Sequence, residues 1–311
     1  MPPPGGCTCD YQIIMKRILS IDGGGMRGLL PCAMLVKLEK EYGRQCFEIF
    51  DSMWGTSIGG IIVLLLAAGM PAAEIMKFFT EDGPRIFRRS WYTTGPLWLL
   101  TGTKYPSNRV TEILQERFNQ TGSGLNTVKT RVSVTSLDTA SKRPYYFHYH
   151  PGYHGPLYHA ARATMAAQTY FHGYPMTVGG QPRVFWDGGN VVNNPAMLAL
   201  AEAEALGWYG RKILSLGCGS TVPEFDARKA VRPSLPLTAQ ISIEMPFQTG
   251  CDEVDYEAHQ FLRYNYVRLQ PTVGDGLPLD GASPSDIWNL KDAAANFIRE
   301  DWCRVERFMA A

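Results

Sequence analysis

Hydrophobic positions change period along the chain, and each change predicts an element. Ile18, Leu19 and Ile21 make residues 17–21 a short buried strand, and Leu30, Met34, Leu35 and Leu38 recur at helical spacing over 29–42. Residues 47–54 then approach a second turn, and the apolar run that follows predicts a helix over 58–68, buried on all sides. Further helices are predicted at 71–80, 110–118, 160–168, 194–205, 251–262 and 285–309, with Pro195 at a favoured early position. Strands are predicted at 131–137, 145–150, 183–186, 213–216 and 266–269. This alternation predicts an α/β fold, a three-layer α/β/α sandwich around a mainly parallel central sheet. Residues 1–14 read as a flexible leader and 15–311 as a single domain. The irregular stretches 82–105 and 221–250 are expected to be loops over that domain rather than linkers.

Composition narrows the function classes. With 45% hydrophobic and 19% charged residues the chain can bury a core and is not disordered. Thirty basic residues face 29 acidic ones, so no net field draws it to nucleic acid. The longest apolar run, 61–70, is half of the roughly 20 residues a membrane span needs. Seven cysteines are odd in number and scattered, which fits reduced thiols better than a disulfide framework or a zinc site. The first residues have neither a basic start nor an apolar stretch, so a cytoplasmic protein is expected.

Two glycine-rich turns carry the candidate chemistry. In Asp22-Gly23-Gly24-Gly25-Met26-Arg27-Gly28, a strand runs into a turn that opens a helix, an arrangement that offers backbone N–H groups to an anion. Gly23, Gly25 and Gly28 also match the dinucleotide-binding fingerprint, with Asp51 23 positions beyond Gly28 as a ribose-binding carboxylate. In Gly55-Thr56-Ser57-Ile58-Gly59-Gly60, small residues flank a serine between a strand-like segment and an apolar helix, the pattern of a nucleophile elbow. A nucleophilic serine needs a base. Asp187, followed by Gly188-Gly189 at the end of a strand, is one candidate; His259 would complete a Ser-Asp-His order but lies in a predicted helix. The other histidines precede Asp187 in a Tyr- and Pro-rich stretch.

These residues together resemble the patatin-like phospholipases, serine acyl hydrolases with a Ser-Asp dyad. The match rests on 22–28, 55–60 and 187–189, supported by 161–171, 193–196 and 213–219, in order over roughly residues 17–270. Met165 and Gln168 stand where the family commonly has Ser and Pro, and Ile58 where it often has Thr. The resemblance implies Ser57 as nucleophile, Asp187 as base and Gly23, Gly24 and Gly25 as the oxyanion hole, with Arg27 supporting that loop. It implies no metal and no cofactor. An unperturbed aspartate near pKa ~3.9 is a weak base toward serine, so the oxyanion loop is expected to supply much of the rate.

The implied activity is hydrolysis of phospholipids or lysophospholipids through an acyl-enzyme, with a general carboxylesterase as the near alternative. A dinucleotide-binding oxidoreductase and a non-catalytic lipid-binding module are the readings from other classes. Arg88, Arg89, Trp91 and Trp98 lie in a stretch that mixes cations with large aromatics, the composition of a transient membrane-surface contact or of a buried cover. The sequence leaves the oligomeric state open.

Overall fold

Strand β1 (Lys16–Ile21) sends Ile18 to one face of the sheet and Leu19 and Ile21 to the other, all three fully buried. That two-residue period divides the core into two layers. The computed structural model describes residues 14–89, 102–122, 124–148, 153–221, 235–274 and 277–310. β1 pairs in parallel with β2 (Ser52–Thr56) and with β7 (Arg211–Leu216). β2 pairs in parallel with β3 (Arg131–Asp138), and β7 with β9 (Tyr266–Leu269). The antiparallel strands β4 (Arg143–His148), β5 (Tyr174–Val178) and β6 (Gln181–Asp187) complete an eight-stranded sheet whose centre is parallel. β8 (Ser220–Thr221) and β10 (Thr272–Val273) form a separate short ladder.

Helices Leu29–Tyr42, Ile58–Ala67 and Pro284–Asp301 pack on the face that holds Leu19, Met53 and Leu214. Helices Ala196–Ala205 and Leu235–Leu262 pack on the face of Ile18, Trp54 and Ile213. The result is the expected α/β/α sandwich. Every residue of Ile58–Ala67 is buried, as its unbroken apolar sequence requires.

The edge of β3 decides what meets the second glycine turn. β4 occupies one edge of β3 from Ser133 to Asp138. The other edge is shared: β2 pairs along it as far as Thr56 opposite Thr135, and β6 takes over with Asp187 opposite Ser136. The end of β2 and the end of β6 therefore face each other across one residue step of β3.

Several elements differ from expectation. The helix predicted over 160–168 is Leu157–Thr164; it stops where the Thr164 hydroxyl accepts the Ser57 N–H, and Ala166 then accepts the Asp187 N–H. β5 was not predicted, although Gly179 and Gly180, both at positive φ, form the hairpin turn that joins it to β6. The stretch 221–250 is not all loop, because the helix Leu235–Leu262 begins within it. The C-terminal helix is broken at Trp302, whose indole N–H donates to Glu41. Most of the predicted leader, residues 1–13, lies outside the described residues.

Candidate active site

Ser57 sits between β2 and the Ile58–Ala67 helix with φ 53° and ψ −121°. Such a backbone costs a non-glycine residue on the order of 1–3 kcal/mol and persists only where its surroundings enforce it. Here the flanking glycines do so. A Cβ on Gly55 would lie 2.4 Å from the Gly59 carbonyl oxygen, and one on Gly59 would lie 2.4 Å from the Ile21 oxygen. The Ser57 N–H donates to Thr164 Oγ1 at 2.9 Å, which fixes the turn from the other side.

The Ser57 hydroxyl donates to Asp187 Oδ2 at 2.7 Å, and Asp187 Oδ1 accepts the Gly189 N–H, also at 2.7 Å. Gly188 gives Asp187 its seat, since a Cβ there would come within 2.2 Å of Thr135 Oγ1 on β3. Asp187 is only 6% exposed. Burial pushes its pKa up to about 6, against the downward pull of the Gly189 N–H, the Ser57 hydroxyl and the charge of Arg162. As a candidate base, Asp187 has a higher proton affinity than the unperturbed aspartate expected from sequence. Arg162 is itself buried on Leu157–Thr164, where it donates to Thr111 Oγ1 and the His172 carbonyl, with its guanidinium over the rings of Phe171 and Tyr174.

The first glycine turn passes directly over the serine: a Cβ on Gly23 would lie 3.2 Å from Ser57 Cβ. Its three glycines are not equivalent. The Gly23 N–H donates to the Asn193 carbonyl at 3.2 Å, so that donor is already engaged. Among the described residues the Gly24 and Gly25 N–H groups meet no protein acceptor, which leaves these two for a developing oxyanion. Gly24 abuts Cys218, and Gly25 adopts φ +56° against the Leu279 carbonyl. The Arg27 guanidinium donates to the Leu277 carbonyl and ties the loop to the 277–280 segment.

The remaining candidates lie elsewhere. Asp51 accepts from Lys16 Nζ and the Arg17 N–H, at the opposite end of β1 from the glycine turn. Six strand residues span about 20 Å, so Asp51 cannot serve a nucleotide held at that turn. His259 is 44% exposed, 3.7 Å from Asp255, and edge-on to Tyr266 at the start of β9. His148 bonds Ser133, His159 bonds Tyr174 and His172 bonds Thr103; none contacts the Ser57–Asp187 pair. Arg88 and Arg89 are exposed, while Trp91 and Trp98 lie outside the described residues. Among those residues no helix is long and apolar enough to cross a membrane.

Sequence reading attached no role to Thr164, Asn193 or Arg162, although each lies in a stretch that carried the resemblance. Arg268 was missed altogether. Its one signal was a charged residue in the otherwise apolar β9, and the structure buries it against Asp22.

Known proteins resemble this chain along much of its length. A family model described as "Patatin-like phospholipase" matches residues 19–200. "Patatin-like protein 2" of Arabidopsis thaliana is 30% identical over 93% of this chain and 84% of its own length. "Patatin-like protein 2" of Oryza sativa subsp. indica is 27% identical over 98% of this chain and 89% of its own. A "cGAMP-activated phospholipase" of Pseudomonas aeruginosa is 35% identical over 60% of this chain and 56% of its own. Among solved structures, VipD from Legionella pneumophila shares the fold with a TM-score of 0.50 at 13% identity, covering 92% of this chain and 67% of that one.

Proposed function

The chain belongs to the patatin-like phospholipase family and is a lipid acyl hydrolase, and from that premise we propose that it cleaves phospholipid or lysophospholipid esters as a serine hydrolase with a Ser57–Asp187 dyad. The observation that carries this reading is the 2.7 Å hydrogen bond from the Ser57 hydroxyl to a buried carboxylate with a pKa of about 6. A base poised near the working pH combines a usable fraction of the ionised form with real proton affinity.

The mechanism follows from the donors and acceptors in place. Asp187 Oδ2 takes the proton as Ser57 Oγ attacks the ester carbonyl carbon. The carbonyl oxygen gains negative charge within reach of the Gly24 and Gly25 N–H groups, and one such donor is worth about 10²–10³-fold in rate. Collapse breaks the C–O bond, and Asp187 returns the proton to the leaving alcohol. Water then attacks the acyl-serine by the same steps in reverse, with Asp187 again accepting the proton.

A lipid surface is the phase in which this substrate is met, and the exposed Arg88 and Arg89 support contact with anionic headgroups. Free thiols at Cys32, Cys46, Cys218, Cys251 and Cys303 favour a reducing, cytoplasmic setting. Helices Pro284–Asp301 and Cys303–Ala310 bury Leu290, Ala294, Val305 and Phe308 in the same core as Leu19, which favours one domain over 15–311.

The test combines labelling with turnover. Wild type is expected to take a fluorophosphonate on Ser57 and to release fatty acid from phosphatidylcholine or lysophosphatidylcholine micelles; Ser57→Ala is expected to do neither. Undiminished fatty-acid release by Ser57→Ala would sink the proposal.

A further inference from the structure

Beside the oxyanion loop lies a buried charge pair that the reaction scheme does not use. Asp22, the residue before Gly23, is 2% exposed, and Arg268 on β9 is 6% exposed. Arg268 grips Asp22 with both arms of its guanidinium, Nη1 to Oδ1 at 2.8 Å and Nη2 to Oδ2 at 2.5 Å, and Nη1 also donates to Ser215 Oγ on β7 at 2.9 Å. Burial opposes the Arg268 charge, but the Asp22 carboxylate outweighs it and holds the guanidinium protonated, its pKa raised.

Such a pair is poor value as a source of stability. Removing two charges from water costs several kcal/mol per ion, and well-packed apolar pairs often replace buried ion pairs without loss. What the fork does supply is direction, because two parallel hydrogen bonds fix the carboxylate in plane and in register. Asp22 is held at every other polar group as well. Its N–H donates to Leu216, and its carbonyl accepts from Cys218 Sγ at 3.2 Å. Beyond it, Asn193 brackets the Gly23 peptide by accepting its N–H and donating Nδ2 to its carbonyl. On the far side, Met26 donates to Leu279 and Arg27 to Leu277. Among the described residues the Gly24 and Gly25 N–H groups are thus free donors of a loop clamped at both ends, and Arg268 clamps it on the strand side.

We propose that Arg268 is a positioning residue for hydrolysis: through Asp22 it sets where the Gly24 and Gly25 N–H groups point, and hence how well they meet the oxyanion. The inference rests on the proposed Ser57 mechanism. Because Arg268 acts on the transition state through the loop, its loss lowers kcat while KM holds. A purely structural role would lower the amount of folded enzyme and leave turnover per reactive serine untouched.

The test uses the neutral pair Asp22→Asn/Arg268→Gln, with Arg268→Lys as a second variant that keeps a buried cation but loses the fork. Active sites are counted by fluorophosphonate titration, so rates refer to competent serines only. Turnover of 4-nitrophenyl butyrate per site is expected to fall about 10²-fold with KM within about threefold. Affinity for an alkyl trifluoromethyl ketone, which adds to the serine and presents an oxyanion, is expected to fall in parallel. Affinity for a non-hydrolysable ether lipid is expected to hold. Wild-type kcat and ketone affinity in either folded variant would overturn the proposal. Ser57→Ala run alongside separates the two readings: if it retains turnover, the dyad mechanism fails. If it is inactive while the Arg268 variants match wild type, only the positioning role fails.

Discussion

Asp187 divides its two carboxylate oxygens between the Ser57 hydroxyl and the Gly189 N–H, each at 2.7 Å, so the oxygen that faces the serine is held in place by the strand end that bears it. No histidine among the described residues shares that bond. The division of labour makes the dyad testable one atom at a time.

Asp187→Asn keeps the size and the Gly189 contact but cannot accept the serine proton. Turnover is expected to drop by about 10⁴-fold, the scale seen when an orienting carboxylate becomes an amide in serine hydrolases. Far-UV circular dichroism of the variant should match wild type while steady-state fatty-acid release collapses.

The pH profile follows from burial. With Asp187 titrating at about 6, kcat/KM for an uncharged ester is expected to rise with pH through that value and level off above it. A plateau reaching down to pH 4.5 would contradict a base of this strength.

Stability runs in the opposite sense. The folded pKa, about 6, lies above the ordinary 3.8, so the fold favours the protonated carboxyl. That stabilisation is whole below the unfolded value and is lost as pH rises through the folded one. At pH 7 wild type carries the cost of a buried anion, so Asp187→Asn is expected to be more stable by up to about 3 kcal/mol. The gap in Tm should close as pH falls toward 4, which differential scanning calorimetry can follow.

Arg162 offers a second handle on the same group. Its buried charge pulls the Asp187 pKa down, so Arg162→Met is expected to move the acid limb of kcat/KM upward by up to about one pH unit. His259→Ala, by contrast, should leave both the limb and the plateau unchanged, since that ring sits against Asp255 and Tyr266.

Gly24→Ala tests the oxyanion loop by sterics alone. The new Cβ would lie 2.2 Å from Cys218 Cβ, so the peptide must shift and hydrolysis is expected to fall by about 10²-fold or more. Cys218→Gly removes the clashing atom, and the double variant should recover part of the lost rate in the same esterase assay.

Much of this site is written locally. Gly55 is demanded by the Gly59 carbonyl oxygen, which a Cβ would approach to 2.4 Å from only four positions along the chain, and a steric demand of that kind is legible as glycine spacing. The same holds for the strand–turn–helix order around Ser57 and for the glycines that follow Asp187, which is why the two turns, the candidate nucleophile and the candidate base could be named from sequence. The rest is set at long range. Ser57 and Asp187 are 130 positions apart and meet because β2 and β6 share one edge of β3. The Gly23 N–H is engaged by the Asn193 carbonyl, and Asp22 is clamped by Arg268 from 246 positions away. The pKa of Asp187 depends on how completely the packed core excludes water. The small residues that let the Ser57 turn form are its neighbours in the chain; the contacts that hold the turn, its solvation and its partners belong to the whole sheet, and only the tertiary structure decides them.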